Sequence, residues 1–256
     1  MQLLEYIRNK WRAYKTGKSV LIDNEYSTTK ILTVIETKKR PGRAEIINYF
    51  LGLTDRLNYL EIEINNPEKN FVKIICKNKY SVDPGFEFPA NPADYKITSD
   101  VFFEKLNKGE LPELNNVRFD VIFIDGLHIS HQVERDLFNS IDFLKEKGFI
   151  ILHDCNPPSE HHQRENSNYF NSPAGEIWNG TTWKAFYKFR HNKDFFSVCF
   201  DTDWGVAVIS KTQLIGFNQI QGKLENTFFE FQILHQNREK HLNLKNFDSW
   251  EKELVL

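Results

Sequence analysis

The amino-acid sequence predicts an α/β fold, a doubly wound and mostly parallel β-sheet with its last strand antiparallel. Residues 121–125 and 149–153 are continuous apolar runs, typical of strands that are covered on both faces. The stretch between them, 130–147, repeats apolar residues at helical spacing and is long enough for a crossover connection. Two later runs, 197–200 and 205–210, are separated by only four residues, which is too short for a parallel crossover and predicts an antiparallel hairpin.

The remaining elements follow in chain order. Residues 3–14 predict a short basic amphipathic helix, which we interpret as a lid or a dimer contact rather than a membrane-binding helix because its apolar face is small. Residues 38–43 predict a basic turn exposed to solvent, and a helical apolar face follows over 44–53. Gly148 lies where a glycine caps the end of the helix predicted over 130–147. Further strands are predicted at 58–64, 79–83 and 96–99, the last leading into an amphipathic helix at 100–106.

Length and composition bound the remaining possibilities. A chain of 256 residues has room for one α/β domain with extensions, and we predict a helical extension over 1–43, a core domain over 44–210 and a C-terminal extension over 211–256. The net charge of −2 offers no electrostatic case for binding nucleic acid or an anionic membrane. No uncharged apolar run approaches the ~20 residues that span a bilayer. Without a CxxC pair or an apolar signal segment, the predicted location is the cytoplasm.

Acidic and imidazole side chains follow the two central strands. Asp125 ends the first run with His128 three residues later, and His153 and Asp154 end the second run. Because neighbouring parallel strands present their carboxyl ends at one edge of the sheet, where ligands bind, we expect these four side chains to converge on one crevice. The sequence therefore predicts a site, and specifically a catalytic one.

Each of these residues also has a structural interpretation. An aspartate in the position of Asp125 is typical of a helix cap, and His128 and His153 are equally compatible with hydrogen bonds inside the fold. Asp154 favours function more strongly, because a buried strand that ends on an unpaired carboxylate is costly.

Seven short motifs in order make the sequence recognisable. They are LEIE at 60–63, VDP at 82–84, TSDVFF at 98–103, IDGLH at 124–128, HDCNPP at 153–158, WNGTTWK at 178–184 and DWG at 203–205. With these motifs the chain resembles the class I S-adenosylmethionine-dependent methyltransferases, and more narrowly a bacterial group that carries them in this order. The resemblance covers residues 44–210 and implies a Rossmann-like sheet of seven strands and a methyltransferase activity, with O-methylation as the favoured reaction.

The resemblance also implies which residues bind S-adenosylmethionine. Glu61 is expected near the ammonium group of the cofactor, and Asp83 on its ribose diol. Ser99 and Asp100 are expected beside the adenine. Asp125 is expected between the cofactor and the substrate.

One position departs from the resembled group. Those proteins carry glycine where this chain has Glu63, and the following residues 64–68 contain no glycine. Glycine at such a turn allows the backbone to approach a ligand closely. The side chain of Glu63 is therefore expected either to narrow the cofactor pocket or to point away from it.

Methyl transfer requires an oxygen or nitrogen nucleophile from which a proton is removed. His128 is the candidate base, because imidazole titrates near neutral pH, and Asp125 and Asp154 complete the candidate catalytic set. Asp125 and Asp154 also favour a divalent metal, Mg²⁺ or Mn²⁺, with His153 or Asn156 as a further ligand. Such a metal would act as a Lewis acid on the hydroxyl groups of the acceptor.

The leading hypothesis is a methyltransferase acting on a hydroxylated small molecule or a glycan precursor, with a homodimer through the N-terminal helix left open. Two alternatives remain. One is a methyltransferase-fold binding protein whose donor site is weakened by Glu63, and the other is a metal-dependent hydrolase built on the central strand ends. The methyltransferase is preferred because Asp83, Ser99 and Asp100 have no purpose in a hydrolase.

Overall fold

The computed structural model describes residues 2–64, 66–86, 90–167 and 171–255. Within these residues the strands are β1 (Asn58–Ile62), β2 (Asn78–Val82), β3 (Phe119–Ile124), β4 (Leu144–Leu152), β5 (Phe196–Phe200), β6 (Val206–Ser210) and β7 (Leu244–Lys245). They form one sheet in the order β2-β1-β3-β4-β6-β5-β7. Strands β1 to β4 are parallel, β6 is antiparallel to both of its neighbours, and β7 is parallel to β5. The predicted fold class and the predicted hairpin are both confirmed.

Helices precede, connect and follow the strands. They are α1 (Gln2–Leu21), α2 (Asn24–Lys38), α3 (Arg43–Gly52), α4 (Ser99–Asn107), α5 (Ser130–Phe143), α6 (Thr182–Phe189), α7 (Phe231–Gln236), α8 (Arg238–Leu242) and α9 (Phe247–Val255). Buried side chains of α4, α5 and α6 pack on one face of the sheet, and those of α3 and α9 pack on the other. Ile122 on β3 belongs to the first cluster and its neighbour Phe123 to the second, as expected for a strand buried on both faces.

The strand predicted at 96–99 does not form. Tyr95 makes a single bridge to Val82 at the end of β2, and helix α4 begins at once. The side chain of Thr98 accepts a hydrogen bond from the backbone N–H of Val101 at 3.4 Å, so this residue caps α4 instead of extending a strand. The seventh strand is β7, which lies in the predicted C-terminal extension.

Helix α5 is shorter than predicted, and β4 is longer. The helix ends at Phe143, and β4 begins at the next residue, so Gly148 lies inside the strand and the predicted helix cap is wrong. A Cβ atom on Gly148 would lie 3.0 Å from the carbonyl oxygen of Asp120 on β3. Glycine at this position therefore allows the two strands to approach closely.

The N-terminal helices stand on the outside of this core. The helix predicted at 3–14 is present and extends from Gln2 to Leu21 without burying any residue. Helix α2 buries only Thr29 and Glu36. Among the described residues, no helix has the length and apolar character needed to cross a membrane.

Candidate active site

A cavity of about 390 Å³ opens where the carboxyl ends of β1 to β4 meet. Glu63 follows β1, Asp83 follows β2, Asp125 follows β3 and Asp154 follows β4, and all four line this cavity. The edge formed by the carboxyl ends is where parallel sheets of this type bind ligands. The structure thus brings together side chains that are far apart in the sequence.

Arg43, the first residue of α3, enters this cavity. Its Nη1 lies 2.6 Å from Oδ2 of Asp125 and 3.1 Å from Nδ1 of His153. Its backbone N–H and its Nε both donate to Oδ2 of Asp203, at 2.7 and 3.2 Å. The prediction of a solvent-exposed basic turn is therefore wrong at its last residue. Arg43 and Asp203 are site residues that the sequence did not identify, and the DWG motif at 203–205 was the one signal available for them.

The two imidazole rings of the predicted site lie between carboxylates. Nδ1 of His153 lies 2.9 Å from Oδ1 of Asp125 and 3.0 Å from Oδ2 of Asp154. Nδ1 of His128 lies 3.2 Å from Oδ2 of Asp154, and its Nε2 lies 3.4 Å from Oδ1 of Asp125. Burial lowers the pKa of both imidazoles, but the adjacent carboxylates outweigh it and raise the pKa of His128 to about 9 and that of His153 well above its usual value. Both shifts favour the protonated form of these rings.

The segment 178–181 holds His128 and Asp154 in place. The ring of Trp178 stacks on that of His128, with 4.9 Å between centroids. The side-chain amide of Asn179 donates to Oδ1 of Asp154 at 2.7 Å. Gly180 has a φ of +59°, and a Cβ atom there would overlap the carbonyl oxygen of His128. The WNGTTWK motif therefore positions two candidate catalytic side chains.

Glu61 is buried at the end of β1. Its Oε2 accepts hydrogen bonds from the hydroxyl of Tyr59 at 2.5 Å and from the amide of Asn70 at 2.9 Å. Burial disfavours the carboxylate more than these bonds favour it, and the pKa of Glu61 rises to about 8. Glu61 lines the cavity, as a residue beside the cofactor must, and its role there stays a prediction.

Glu63 occupies the position where the resembled group carries glycine. Its φ of +64° lies in the left-handed region that glycine adopts without cost. The side chain turns towards the loop after β3, where its Oε2 accepts the backbone N–H of Leu127 at 3.0 Å and its Cδ lies close over Gly126. Burial raises the pKa of this carboxyl group to about 7. Glu63 therefore lines the cavity and does not point away from it.

The other predicted cofactor residues divide into two groups. Asp83 lines the cavity at the end of β2. Ser99 and Asp100 are not among the described residues that line the cavity, and both accept hydrogen bonds from the side-chain amide of Gln132, at 3.2 and 3.3 Å. Asp100 also forms an ion pair with Arg135 on the surface, at 3.2 Å.

Three of the cavity residues have the donor atoms of a metal site. Ligand atoms of Asp125, His128 and Asp154 lie within 4.8 Å of one another. The two carboxylates suit Mn²⁺ or Mg²⁺, and the imidazole favours Mn²⁺ of the two. Nδ1 of His153, the ligand predicted from the sequence, also lies beside both carboxylates. The same nitrogen atom lies 3.1 Å from Nη1 of Arg43. The donor set fits a divalent cation, which would compete with Arg43 for Asp125.

Part of this chain matches the model of a known protein family. Residues 62–155 match the family model described as a methyltransferase domain. This match confirms the predicted resemblance to the class I S-adenosylmethionine-dependent methyltransferases, although it does not test the individual motifs. No curated protein sequence matches the chain significantly.

Several solved structures are similar in fold. One is a protein from Corynebacterium glutamicum, with 10% identity over 82% of this chain and 98% of that chain and a TM-score of 0.43. A second is an O-methyltransferase from Bacillus cereus solved in complex with SAH, with 10% identity over 77% and 96% and a TM-score of 0.40. A third is the O-methyltransferase TomG from Streptomyces achromogenes, involved in tomaymycin synthesis and solved in complex with SAM, with 9% identity over 80% and 98% and a TM-score of 0.41. Identities and TM-scores this low carry no argument about the activity of this chain.

Proposed function

We propose that this chain, whose residues 62–155 carry a methyltransferase domain, transfers the methyl group of S-adenosylmethionine to a hydroxyl group of a small molecule or glycan precursor. The observation that carries the proposal is the convergence of acidic side chains from four strand ends on one cavity at the ligand-binding edge of the sheet. Residues 44–210 would form the catalytic core, with an extension on each side.

Individual carboxyl groups of the cavity support a cationic methyl donor. Six of them line it, and a carboxylate a few ångströms from a sulfonium or ammonium group stabilises that charge. S-adenosylmethionine has a sulfonium and an ammonium group, whereas its demethylated product has lost the sulfonium charge. The carboxyl groups are Glu61, Glu63, Asp83, Asp125, Asp154 and Glu176, against Arg43, Lys69 and the two imidazoles.

His128 is the proposed base for the acceptor hydroxyl. With a pKa of about 9 in the ligand-free state, its imidazole is protonated at neutral pH and cannot yet accept a proton. A bound cation disfavours a neighbouring imidazolium, so donor binding would lower the pKa of His128 towards neutrality. The acceptor oxygen then attacks the methyl carbon, the carbon–sulfur bond breaks to leave a neutral thioether, and the hydroxyl proton passes to His128.

A metal ion would change that assignment. Bound to Asp125, His128 and Asp154, a divalent cation would supply a Lewis acid for the acceptor hydroxyl. An imidazole that coordinates a metal has no free lone pair, so His128 cannot be a ligand and the base at once. With His153 as the ligand, as the sequence predicted, His128 would stay available as the base.

Manganese binding distinguishes these arrangements. Chelator-treated protein, His128→Gln and His153→Gln would be titrated with Mn²⁺ and followed by electron paramagnetic resonance. Loss of binding only in His128→Gln assigns His128 to the metal, and loss only in His153→Gln leaves it as the base. An absence of binding in the folded wild-type protein removes the metal from the proposal.

The donor proposal itself is tested by calorimetric titration of S-adenosylmethionine and its demethylated product. We expect saturable binding of both, at micromolar concentrations, by the full chain. No binding of either by folded protein would overturn the proposal. Glu63, which occupies cavity space where a glycine was expected, would then favour the alternative of a binding protein that has lost its donor site.

A further inference from the structure

We propose that helix α1 binds the surface of an anionic lipid membrane and lies in the plane of the interface. The helix spans Gln2–Leu21, and none of its residues is buried against the rest of the chain. Its apolar side chains are therefore left exposed among the described residues. This inference is independent of the proposed methyl transfer.

Five apolar residues of α1 form a stripe, which Lys18 interrupts. Leu4, Ile7, Trp11, Tyr14 and Leu21 are separated by three, four or seven positions, so they lie on one side of the helix. Leu4 is 75% exposed, Trp11 59% and Tyr14 65%. Because α1 continues past Tyr14, the stripe is about 26 Å long, and the sequence-based estimate of a small apolar face was too low.

Helix α1 is also strongly basic. The helix carries Arg8, Lys10, Arg12, Lys15 and Lys18, and Glu5 is its one acidic residue. Its net charge of +4, within a chain of net charge −2, leaves −6 on the rest of the molecule. Positive charge is thus concentrated on a helix that buries none of its residues, and it complements an anionic surface.

The aromatic residues of α1 are placed as in helices that lie at lipid interfaces. The ammonium group of Lys15 lies 5.3 Å from the ring centroid of Trp11, and that of Lys10 lies 4.8 Å from the ring centroid of Tyr6. In such an arrangement the rings enter the boundary between headgroups and acyl chains, while the long basic side chains reach back to the headgroups.

A second copy of the chain is a poorer occupant of this stripe. Two α1 helices facing each other would bring two charges of +4 together, which opposes their association. Lys18 also lies within the stripe, between Tyr14 and Leu21, where a helix–helix seam needs an apolar residue. At a membrane surface the same lysine extends to an anionic headgroup.

Helix α2 would keep the cavity close to such a membrane. Only Ile22 and Asp23 separate the two helices. Near the far end of α2, the carboxylate of Glu36 accepts the backbone N–H of Trp204 at 3.0 Å, and Trp204 lines the cavity. With 1.5 Å per helical residue, the start of α2 lies about 20 Å from that contact.

Co-sedimentation with lipid vesicles tests the proposal. The full chain would be mixed with vesicles of phosphatidylcholine alone and with vesicles containing 30% phosphatidylglycerol. Trp11→Asp and Asn9→Asp each add one negative charge, but the two positions lie about 160° apart around the helix. We expect binding to the anionic vesicles alone, weakened at least thirtyfold by Trp11→Asp and no more than about fivefold by Asn9→Asp.

Three outcomes would overturn the proposal. The first is folded wild-type protein that stays in solution with anionic vesicles. The second is equal binding to both vesicle types, which would remove the role of the basic residues. The third is a dimer in light scattering that Trp11→Asp converts to a monomer, which would assign the stripe to a second copy. Circular dichroism of each variant confirms that the sheet is folded.

Discussion

Arg43 and Asp125 form an ion pair of 2.6 Å that joins the N-terminus of α3 to the end of β3. Burial alone would raise the pKa of the Asp125 carboxyl, but the charges of His153 and Arg43 outweigh it and hold this pKa well below its usual value. Arg43 also donates to Asp203, so one guanidinium pairs with a cavity carboxylate and with a second carboxylate beside the cavity. The low pKa of Asp125 thus depends in part on a residue of helix α3, outside the four central strands.

Replacement of Arg43 by glutamine should destabilise the protein, because it removes the guanidinium from Asp125 and Asp203 and leaves the imidazoles as their remaining basic neighbours. We expect the free energy of unfolding, measured by urea titration, to fall by about 2–3 kcal/mol. This loss is at the low end of the losses found when a buried ion pair is broken, because Arg43 is partly exposed. Asp125 contributes stability above its unfolded pKa and loses it as the pH falls through its folded pKa. The acid-unfolding midpoint of Arg43→Gln should therefore move to higher pH.

Arg40→Gln is the matched control for that variant. It removes the same side chain from the same turn, but Arg40 donates only to the backbone carbonyls of Thr37 and Lys39. We expect a change below about 0.5 kcal/mol. Equal effects of the two substitutions would contradict a special role for Arg43.

The pKa of His128 predicts how stability depends on pH. Its folded value of about 9 lies above the value of about 6.5 expected in the unfolded chain. Its contribution is therefore fully present below about pH 6.5 and is lost as the pH rises through 9. The difference in unfolding free energy between wild type and His128→Gln should shrink by about 3 kcal/mol at most over this range.

Urea unfolding at pH 6.5, 7.5 and 9 measures that difference. His131→Gln, which removes an exposed imidazole from α5, is the control for the loss of a histidine. A constant difference between wild type and His128→Gln would show that the carboxylates of Asp125 and Asp154 do not stabilise the imidazolium.

The four polar residues at the ends of β3 and β4 could be placed from the sequence because the evidence is local. An apolar run that stops on Asp125, or on His153 and Asp154, marks a strand end, and parallel strands bring such ends together. Arg43 could not be placed in this way, because Asp125 lies 82 and Asp203 lies 160 residues further along the chain. The sequence pattern of a basic turn is the same whether the last basic side chain is exposed to solvent or forms ion pairs with two carboxylates.

The errors in strand prediction, one strand wrongly predicted and one missed, have a different cause. The prediction at 96–99 failed because Thr98 caps α4, and a helix cap competes with a strand for the same residues. Strand β7 has only two residues, Leu244 and Lys245, and two residues carry no periodicity. It forms because β5 is the neighbour available at that edge of the sheet, which is a property of the tertiary fold.

Asp83 and Asp100 were both predicted to bind the donor, but they lie in different surroundings in the structure. Asp83 lines the cavity, whereas Asp100 pairs with Arg135 on the surface. Calorimetry should show that Asp83→Asn weakens binding of S-adenosylmethionine about ten- to a hundredfold, through the loss of charge-assisted hydrogen bonds. Asp100→Asn should change it less than about twofold. The reverse order would move the adenosine site away from this cavity.

The carboxyl group of Glu63 should make donor binding depend on pH. Burial raises its pKa to about 7, so it ionises within the physiological range. As the pH rises from 6 to 8, the affinity for S-adenosylmethionine should increase relative to that for its demethylated product, because only the former carries the sulfonium charge. A carboxylate close to that charge predicts a change of about five- to tenfold.

Glu63→Gln keeps the shape of the side chain and should abolish this change. Glu176→Gln, which removes another carboxyl group from the cavity lining, should retain it. If the affinity ratio of the wild-type protein does not change with pH, the sulfonium does not lie beside Glu63.

Alanine substitutions at two glycines distinguish the cost of backbone strain from the cost of a steric clash at the site. Gly180 has a φ of +59° and Gly175 a φ of +60°, so alanine is strained equally at both. At Gly175 no atom of the described residues lies within 4 Å of an added Cβ, whereas at Gly180 the Cβ would overlap the carbonyl oxygen of His128. Gly175→Ala should therefore cost about 1–2 kcal/mol in urea unfolding, and Gly180→Ala more than about 3 kcal/mol.

The excess cost at Gly180 should appear at the candidate base as well. To make room for a Cβ atom, the backbone at His128 must move, and that movement would lengthen the 3.2 Å separation between Nδ1 of His128 and Oδ2 of Asp154. The histidine resonance that titrates with a pKa of about 9 in NMR should then shift towards the ordinary value near 6.5 in Gly180→Ala but not in Gly175→Ala. Similar stability and an unchanged titration in both variants would mean that the turn does not hold His128 against Asp154.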